Sequence, residues 1–226
     1  MDKAYLVLEN GTVFEGEALG ALGQTLGELV FATGMTGYQE TITDPSYAGQ
    51  IVLQTAPHIG IVGMNERDEE SSKIWVSGYV VKDPSRMASN FRAERTLQAD
   101  LIDQKIVGIS GLDTRALTIQ IRDAGAMRAG IFSGSAIASE AEMLSKVTAA
   151  PEMKGRKLSD EVTTPEVYQI PAVGDRKGRV AILDLGIKRS TLEHLAERGL
   201  DISVYPANVS SETLLGGNPD ACLLYT

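Results

Sequence analysis

Apolar positions fall early in the chain as short runs broken by turn residues. AYLVL, TVFEGEAL, ELVFA, QIVLQTA, KIWVSGYVV and KIVGIS, with MRAGIF further on, have the length and β-branched content of strands. Asn10-Gly11 between the first two predicts a two-residue hairpin turn, because both residues tolerate positive φ. Helical spacing comes later. Thr96 is placed to cap a helix with Leu97, Leu101 and Ile102 on one side. Asp113 caps a second, with Leu117, Ile121 and Ala124 inward and Gly125 at its end. Ser139 and Glu142 form a capping box ahead of Met143, Leu144 and Val147. Strands followed by helices are an α+β order, which defines a first domain over residues 1–150.

The texture then changes twice. Over 151–178, Pro151, Pro165 and Pro171 lie among charged residues with little apolar periodicity, which reads as a linker laid over a surface. Over 179–226 a new rhythm begins. RVAILDLG is a strand and STLEHLAERG a helix with Leu192, Leu195 and Ala196 inward and Gly199 at its end. DISVYPA, SSETLLGG and ACLLY follow as strand, short helix and strand. This β-α-β-α-β order predicts the start of a doubly wound parallel sheet, whose ligands bind beyond the carboxyl ends of the strands. The sequence stops before any loop after the third strand.

Composition narrows the function classes. Hydrophobic residues make up 43% and charged residues 23%, which suits packed cores. A net charge of −9 without a basic stripe argues against nucleic-acid binding. No run nears the roughly 18 apolar residues of a membrane span, no signal-peptide pattern opens the chain, and a single cysteine fits a reducing compartment. No membrane role and a cytoplasmic location are therefore expected.

Candidate chemistry is sparse. Cys222, flanked by apolar residues in ACLLY, reads as buried strand filler rather than a nucleophile. His194, between Glu193 and Glu197, falls on a polar helix face, and His58 in TAPHIGIVG suggests a structural hydrogen bond within its loop. One cysteine and two distant histidines cannot build a structural zinc site, and Asp68 to Glu70 read as a solvated turn, so no metal is expected. GALGQTLGE, GDRKGR and GISGL each miss the spacing of a phosphate loop or nucleophile elbow. The stretch TGMTGYQETITDPSYAGQ is different. Gly34 and Gly37 permit tight backbone geometry, and Asp44-Pro45 starts a turn that displays Ser46 and Tyr47. A hydroxyl on such a turn can bind a small polar ligand or simply stabilise the turn, and spacing alone leaves both open.

Wording at a larger scale goes further. LVLENGTVFEG, GELVFATGMTGYQETITDPSY, TAPHIG, DEES, SNFR, GISGLDTRALT, RDAGAM and EVTTPE, in this order, resemble the small, glutamine-hydrolysing subunit of carbamoyl-phosphate synthetase. RVAILDLGIKRS resembles the first strand-turn-helix of that family's amidotransferase domain. Ile61 departs from a usual Asn after HIG, and Ser190 from an Asn that often follows the basic pair. The resemblance implies a β-rich α+β docking domain followed by the start of a flavodoxin-like α/β class I glutamine amidotransferase domain. In this family a cysteine on a Gly-rich elbow, supported by a His and a Glu, attacks the glutamine side-chain amide. The ammonia passes to a large subunit that makes carbamoyl phosphate from bicarbonate and ATP, for arginine and pyrimidine synthesis. The expected partners are therefore that large subunit and glutamine. No cofactor is expected in this subunit, since ATP and Mg act on the large one. Ser46 matches the family serine that contacts bound glutamine. The catalytic Cys, His and Glu find no match in these 226 residues. The chain alone is thus expected to be inactive, with a labile segment from about residue 178. A non-catalytic docking or regulatory protein that binds the large subunit is the alternative reading.

Overall fold

The computed structural model describes residues 2–225. The chain divides into two compact units, 1–156 and 157–226.

In chain order the first unit contains β1 (Lys3–Leu8), β2 (Val13–Gly20), β3 (Gln24–Ala32), α1 (Tyr38–Thr43), β4 (Gln50–Gln54) and β5 (His58–Ile59). There follow β6 (Gly78–Val80), β7 (Asp83–Pro84), α2 (Leu97–Asp103), β8 (Val107–Ser110), α3 (Thr114–Ala124), β9 (Met127–Ser133) and α4 (Glu140–Ala149). Seven strands close a barrel in the order β1-β2-β8-β6-β4-β3-β9. β1 seals it by pairing antiparallel with both β2 and β9, while β3, β4, β6 and β8 run parallel across the other side. Closure leaves these strands without a free edge.

Both barrel faces are covered, which explains why the strands read as continuous apolar runs rather than alternating ones. Leu6, Leu29, Leu53, Ile109 and Ile131 pack inside with Leu117 and Ile121 of α3. Val52 and Tyr79, paired across β4 and β6, face outward beneath Ile42 of α1 and Leu97 and Leu101 of α2. Val7 and Phe132 face outward beneath Met143 and Val147 of α4. The helix caps read from the sequence form as expected. Thr96 accepts from the Ala99 amide, Asp113 from that of Ala116, and Ser139 and Glu142 make the reciprocal capping box.

Three local readings are corrected. The first hairpin turn is longer than two residues. The Leu8 amide donates to the Thr12 carbonyl at 2.9 Å, which leaves residues 9–11 in the loop, and the Asn10 carboxamide accepts the Thr12 amide at 3.0 Å. Asn10 thus keeps negative φ, and Gly11 alone takes the left-handed conformation at φ 87°. Ile102 is 51% exposed, since the short α2 packs through the i, i+4 pair Leu97 and Leu101, a turn face that excludes its neighbour. Ala124, in the last turn of α3, is likewise exposed.

Tyr79 is fully buried, and among the described residues its hydroxyl has no hydrogen-bond partner. Burial pushes this phenol far above its ordinary range. Tyr79→Phe removes the unpaired hydroxyl at constant shape, so it is expected to stabilise the barrel by about 1 kcal/mol. A urea midpoint lower than that of the unmodified chain would contradict this.

The second unit contains α5 (Ser159–Val162), β10 (Tyr168–Ile170), β11 (Gly178–Asp184), α6 (Arg189–Glu197), β12 (Leu200–Pro206), α7 (Ser211–Gly216) and β13 (Ala221–Tyr225). Its sheet has the order β10-β12-β11-β13. β11 is parallel to both neighbours, and β10 adds antiparallel to β12. The stretch read as linker thus contributes a helical turn and a strand. Val180, Ile182, Ile202 and Val204 pack against Leu192 and Ala196 of α6 on one face, and Ala181 and Tyr205 against Leu214 of α7 on the other.

Cys222 is not buried filler. Its strand lies at the end of the sheet order, and among its described side chains only Leu223 joins the core beneath α6. Cys222 aligns with Ala181, on the opposite face, and is exposed.

Candidate functional site

The segment between β3 and β4 folds as more than turns. Gly37 takes left-handed backbone at φ 77° and opens α1, in which Tyr38, Gln39 and Thr43 are buried with tertiary partners. Gln39, 3% exposed, donates from Nε2 to the Asn65 carbonyl at 2.6 Å, and its Oε1 accepts the Asn65 amide at 3.0 Å. The Thr43 hydroxyl donates to the Gln39 carbonyl at 2.8 Å and accepts the Glu70 amide at 2.9 Å. Tyr38 donates its hydroxyl to the Gly63 carbonyl at 2.5 Å, and burial pushes its pKa up to about 12. Polar sequence here marks a fastened helix, because a buried polar group is stable only when paired.

α1 ends at Asp44, and a single 3-10 turn, Pro45–Tyr47, follows at once. Ser46 sits on this turn, exposed to solvent.

A cleft of about 400 Å³ opens beside α1, lined by Met35, Gly37, Glu40, His58, Ile61 and Arg92 among others. Ser46 is not among its lining residues. Burial holds the Glu40 carboxyl above the usual range, with Asp68 and Glu70 adding repulsion and Arg92 opposing it. Asp68 and Arg92 form an ion pair, and Asp68 also accepts from the Asn65 carboxamide at 2.8 Å. The Asp68 side chain is only 16% exposed, so the expected solvated turn is instead a half-buried polar network. Sequence reading missed the couplings of Gln39 to Asn65 and of Asp68 to Arg92. They join residues more than twenty positions apart that carry no local signature.

The remaining expected residues are dispersed. His58 faces Asp83 at 2.9 Å, pinning the β5–β7 pair at an exposed position. His194 is exposed with Glu197 at 3.2 Å. Cys222 has neither a helix N-terminus nor a histidine in its own strand. Among the described residues no group of three or more His, Cys, Asp or Glu could hold a metal ion. No helix among them is long and apolar enough to cross a membrane.

The barrel unit with its α1 segment is the region that a protein-family comparison recognises. The family model described as carbamoyl-phosphate synthase small chain, CPSase domain, matches residues 6–131. The chain belongs to the carbamoyl-phosphate synthase small chain family. Similarity extends through both units. The small chain of Streptomyces avermitilis is 56% identical over 217 residues, covering 96% of this chain and 57% of that protein. That of Bifidobacterium longum is 51% identical over 232 residues, covering 97% and 57%. That of Mycobacterium tuberculosis is 50% identical over 229 residues, covering 99% and 61%. The chain therefore spans less than two thirds of the length of these relatives.

Proposed function

We propose that this chain is the glutamine-wall portion of a carbamoyl-phosphate synthase small subunit. In this reading the complete subunit hydrolyses glutamine and delivers ammonia to a large subunit that forms carbamoyl phosphate, for arginine and pyrimidine synthesis in the cytoplasm. The observation that carries it is identity of 50% or more running past the barrel unit to nearly the whole chain. The parallel β12-β11-β13 arrangement, with α6 and α7 as crossovers, supports assignment of the second unit to a flavodoxin-like glutamine amidotransferase. ATP and Mg then belong to the large subunit.

The role of these residues is binding rather than bond breaking. An exposed hydroxyl on a fixed turn is suited to accept or donate one hydrogen bond at small entropic cost, and Ser46 is such a hydroxyl. Cys222, mid-strand and with no histidine in its own strand, is not suited to be the nucleophile. The 226-residue polypeptide by itself is accordingly expected to release no glutamate from glutamine.

The test uses a hybrid small chain, in which residues 1–226 replace the aligned segment of the Streptomyces avermitilis protein, paired with that organism's large chain. Ser46→Ala is expected to raise KM for glutamine about tenfold, the worth of one hydrogen bond in a desolvated site. An unaltered KM would remove Ser46 from the glutamine site. Failure of the hybrid to co-purify with the large chain would remove the partner.

A further inference from the structure

We infer that Asp44 is the positioning residue for the Ser46 hydroxyl, acting through a carboxylate oxygen that accepts the Ser46 amide. This rests on the glutamine-contact reading of Ser46 and extends it to how that contact is fixed.

Four observations meet at Asp44. Its side chain belongs to a residue only 4% exposed, although the neighbouring Ser46 is at the surface. Its Oδ1 accepts the Ser46 amide at 2.9 Å, capping the 3-10 turn. Its carbonyl accepts the Tyr47 amide at 3.1 Å, so both residues after Pro45 are tied to one residue. Its own amide donates to the Thr41 carbonyl at 3.4 Å, so it is the C-cap of α1 as well as the N-cap of the turn.

The consequence is mechanical. α1 is itself fastened by Gln39 and Thr43 to the segment from Asn65 to Glu70. Asp44 passes that constraint to the turn, and Pro45, buried at the first position, fixes φ near −65° with no amide left to satisfy. Ser46 therefore has its backbone set by its predecessor and only its side chain left to rotate. A ligand meeting this hydroxyl need not order the loop, a saving that appears in affinity. Without the Oδ1 acceptor, the Ser46 amide turns to water and the turn gains alternative conformations.

Two measurements test this. In the 226-residue chain, amide hydrogen exchange at Ser46 is expected to quicken about tenfold in Asp44→Ala, the loss of one hydrogen bond, and to stay near the original rate in Asp44→Asn, which keeps an oxygen acceptor. Amides of β4 and β9 report in the same spectra whether the barrel persists. In the hybrid small chain with its large partner, Asp44→Ala is expected to raise KM for glutamine by about the same factor, with the loss in KM rather than kcat, and Asp44→Asn is expected to restore it. A general structural defect would instead lower kcat in both variants. The inference is overturned if Asp44→Ala leaves Ser46 exchange or KM at the original value while Ser46→Ala raises KM. It is equally overturned if Asp44→Asn is as impaired as Asp44→Ala. Should Ser46→Ala itself leave KM unaltered, the glutamine-contact reading fails, and exchange alone then decides the turn-fixing role.

Discussion

Asp184→Ala is expected to cost the second unit about 3–4 kcal/mol, because it strands two buried backbone amides and a third that is part-buried. Asp184 closes β11 and is 6% exposed. Its Oδ1 accepts the amides of Gly186 and Ile187 at 3.0 Å each, shaping the turn into α6, where Gly186 stands at φ 108°. Its Oδ2 accepts the Thr164 amide at 2.7 Å, which ties the stretch before β10 to the end of the central strand. One carboxylate thus joins three segments that share no backbone ladder at that point. A unit of roughly 70 residues has about 3.5–10 kcal/mol of total stability at ordinary values per residue, so the loss takes a large part of it. Peptides from 157–226 should then exchange amide hydrogens at rates near those of an unfolded chain, while peptides from the barrel keep their protection. Asp184→Asn retains one acceptor oxygen but opposes an amide group to the remaining donors, and should fall between. Full retention of protection in Asp184→Ala would sink this account.

The distribution of such residues explains what the sequence made readable. Thr96, Asp113 and Ser139 cap their helices through groups three positions away, so each signal is complete within one turn. The strands from AYLVL to MRAGIF were equally visible, because a core face filters residue type wherever it occurs. Closure of those strands into a barrel was not, since the seam between Tyr5 and Phe132 joins distant positions with no motif. The Tyr168–Ile170 strand hid for a related reason. It lies at the sheet edge with Tyr168 and Gln169 exposed, so burial imposes no apolar pattern on it. Cys222 misled in the opposite direction: an apolar neighbourhood in sequence became an exposed position, because alternation puts Cys222 and Leu223 on opposite faces of an outer strand. At the candidate site, the turn carrying Ser46 was legible from Asp44-Pro45. The tertiary pairs that fasten it were not.

Gly16→Ala is expected to destabilise the barrel by about 2–3 kcal/mol, although an alanine is ordinarily the better strand residue. The reason is the approach of two backbones. A Cβ at Gly16 would lie 2.3 Å from the Ser110 carbonyl oxygen and 2.8 Å from Leu112 Cδ2, against an ordinary contact of 3.4–4 Å. Gly16 stands one residue beyond the β2–β8 ladder, which runs from Glu17 opposite Ser110 to Gly20 opposite Val107. There the chain leaves β8 through Gly111 and passes over β2 toward α3. An open sheet could relieve such a clash by letting an edge strand move outward. A closed one cannot, because β2 is held on its other side by β1, and β1 by β9. The gain of about 0.4–1 kcal/mol from a less flexible unfolded chain offsets only part of the cost. Gly111 supplies the control. It has φ 82° and open space around its missing Cβ, so Gly111→Ala costs conformational energy alone, about 1–2 kcal/mol. The expected order of urea midpoints is unmodified chain, then Gly111→Ala, then Gly16→Ala, with the Ser46 amide losing protection in the same transition as β1 and β9. Reversal of the two variants would mean that the β8 crossing yields to the added methyl, and that closure does not stiffen the unit on which the Ser46 turn is mounted.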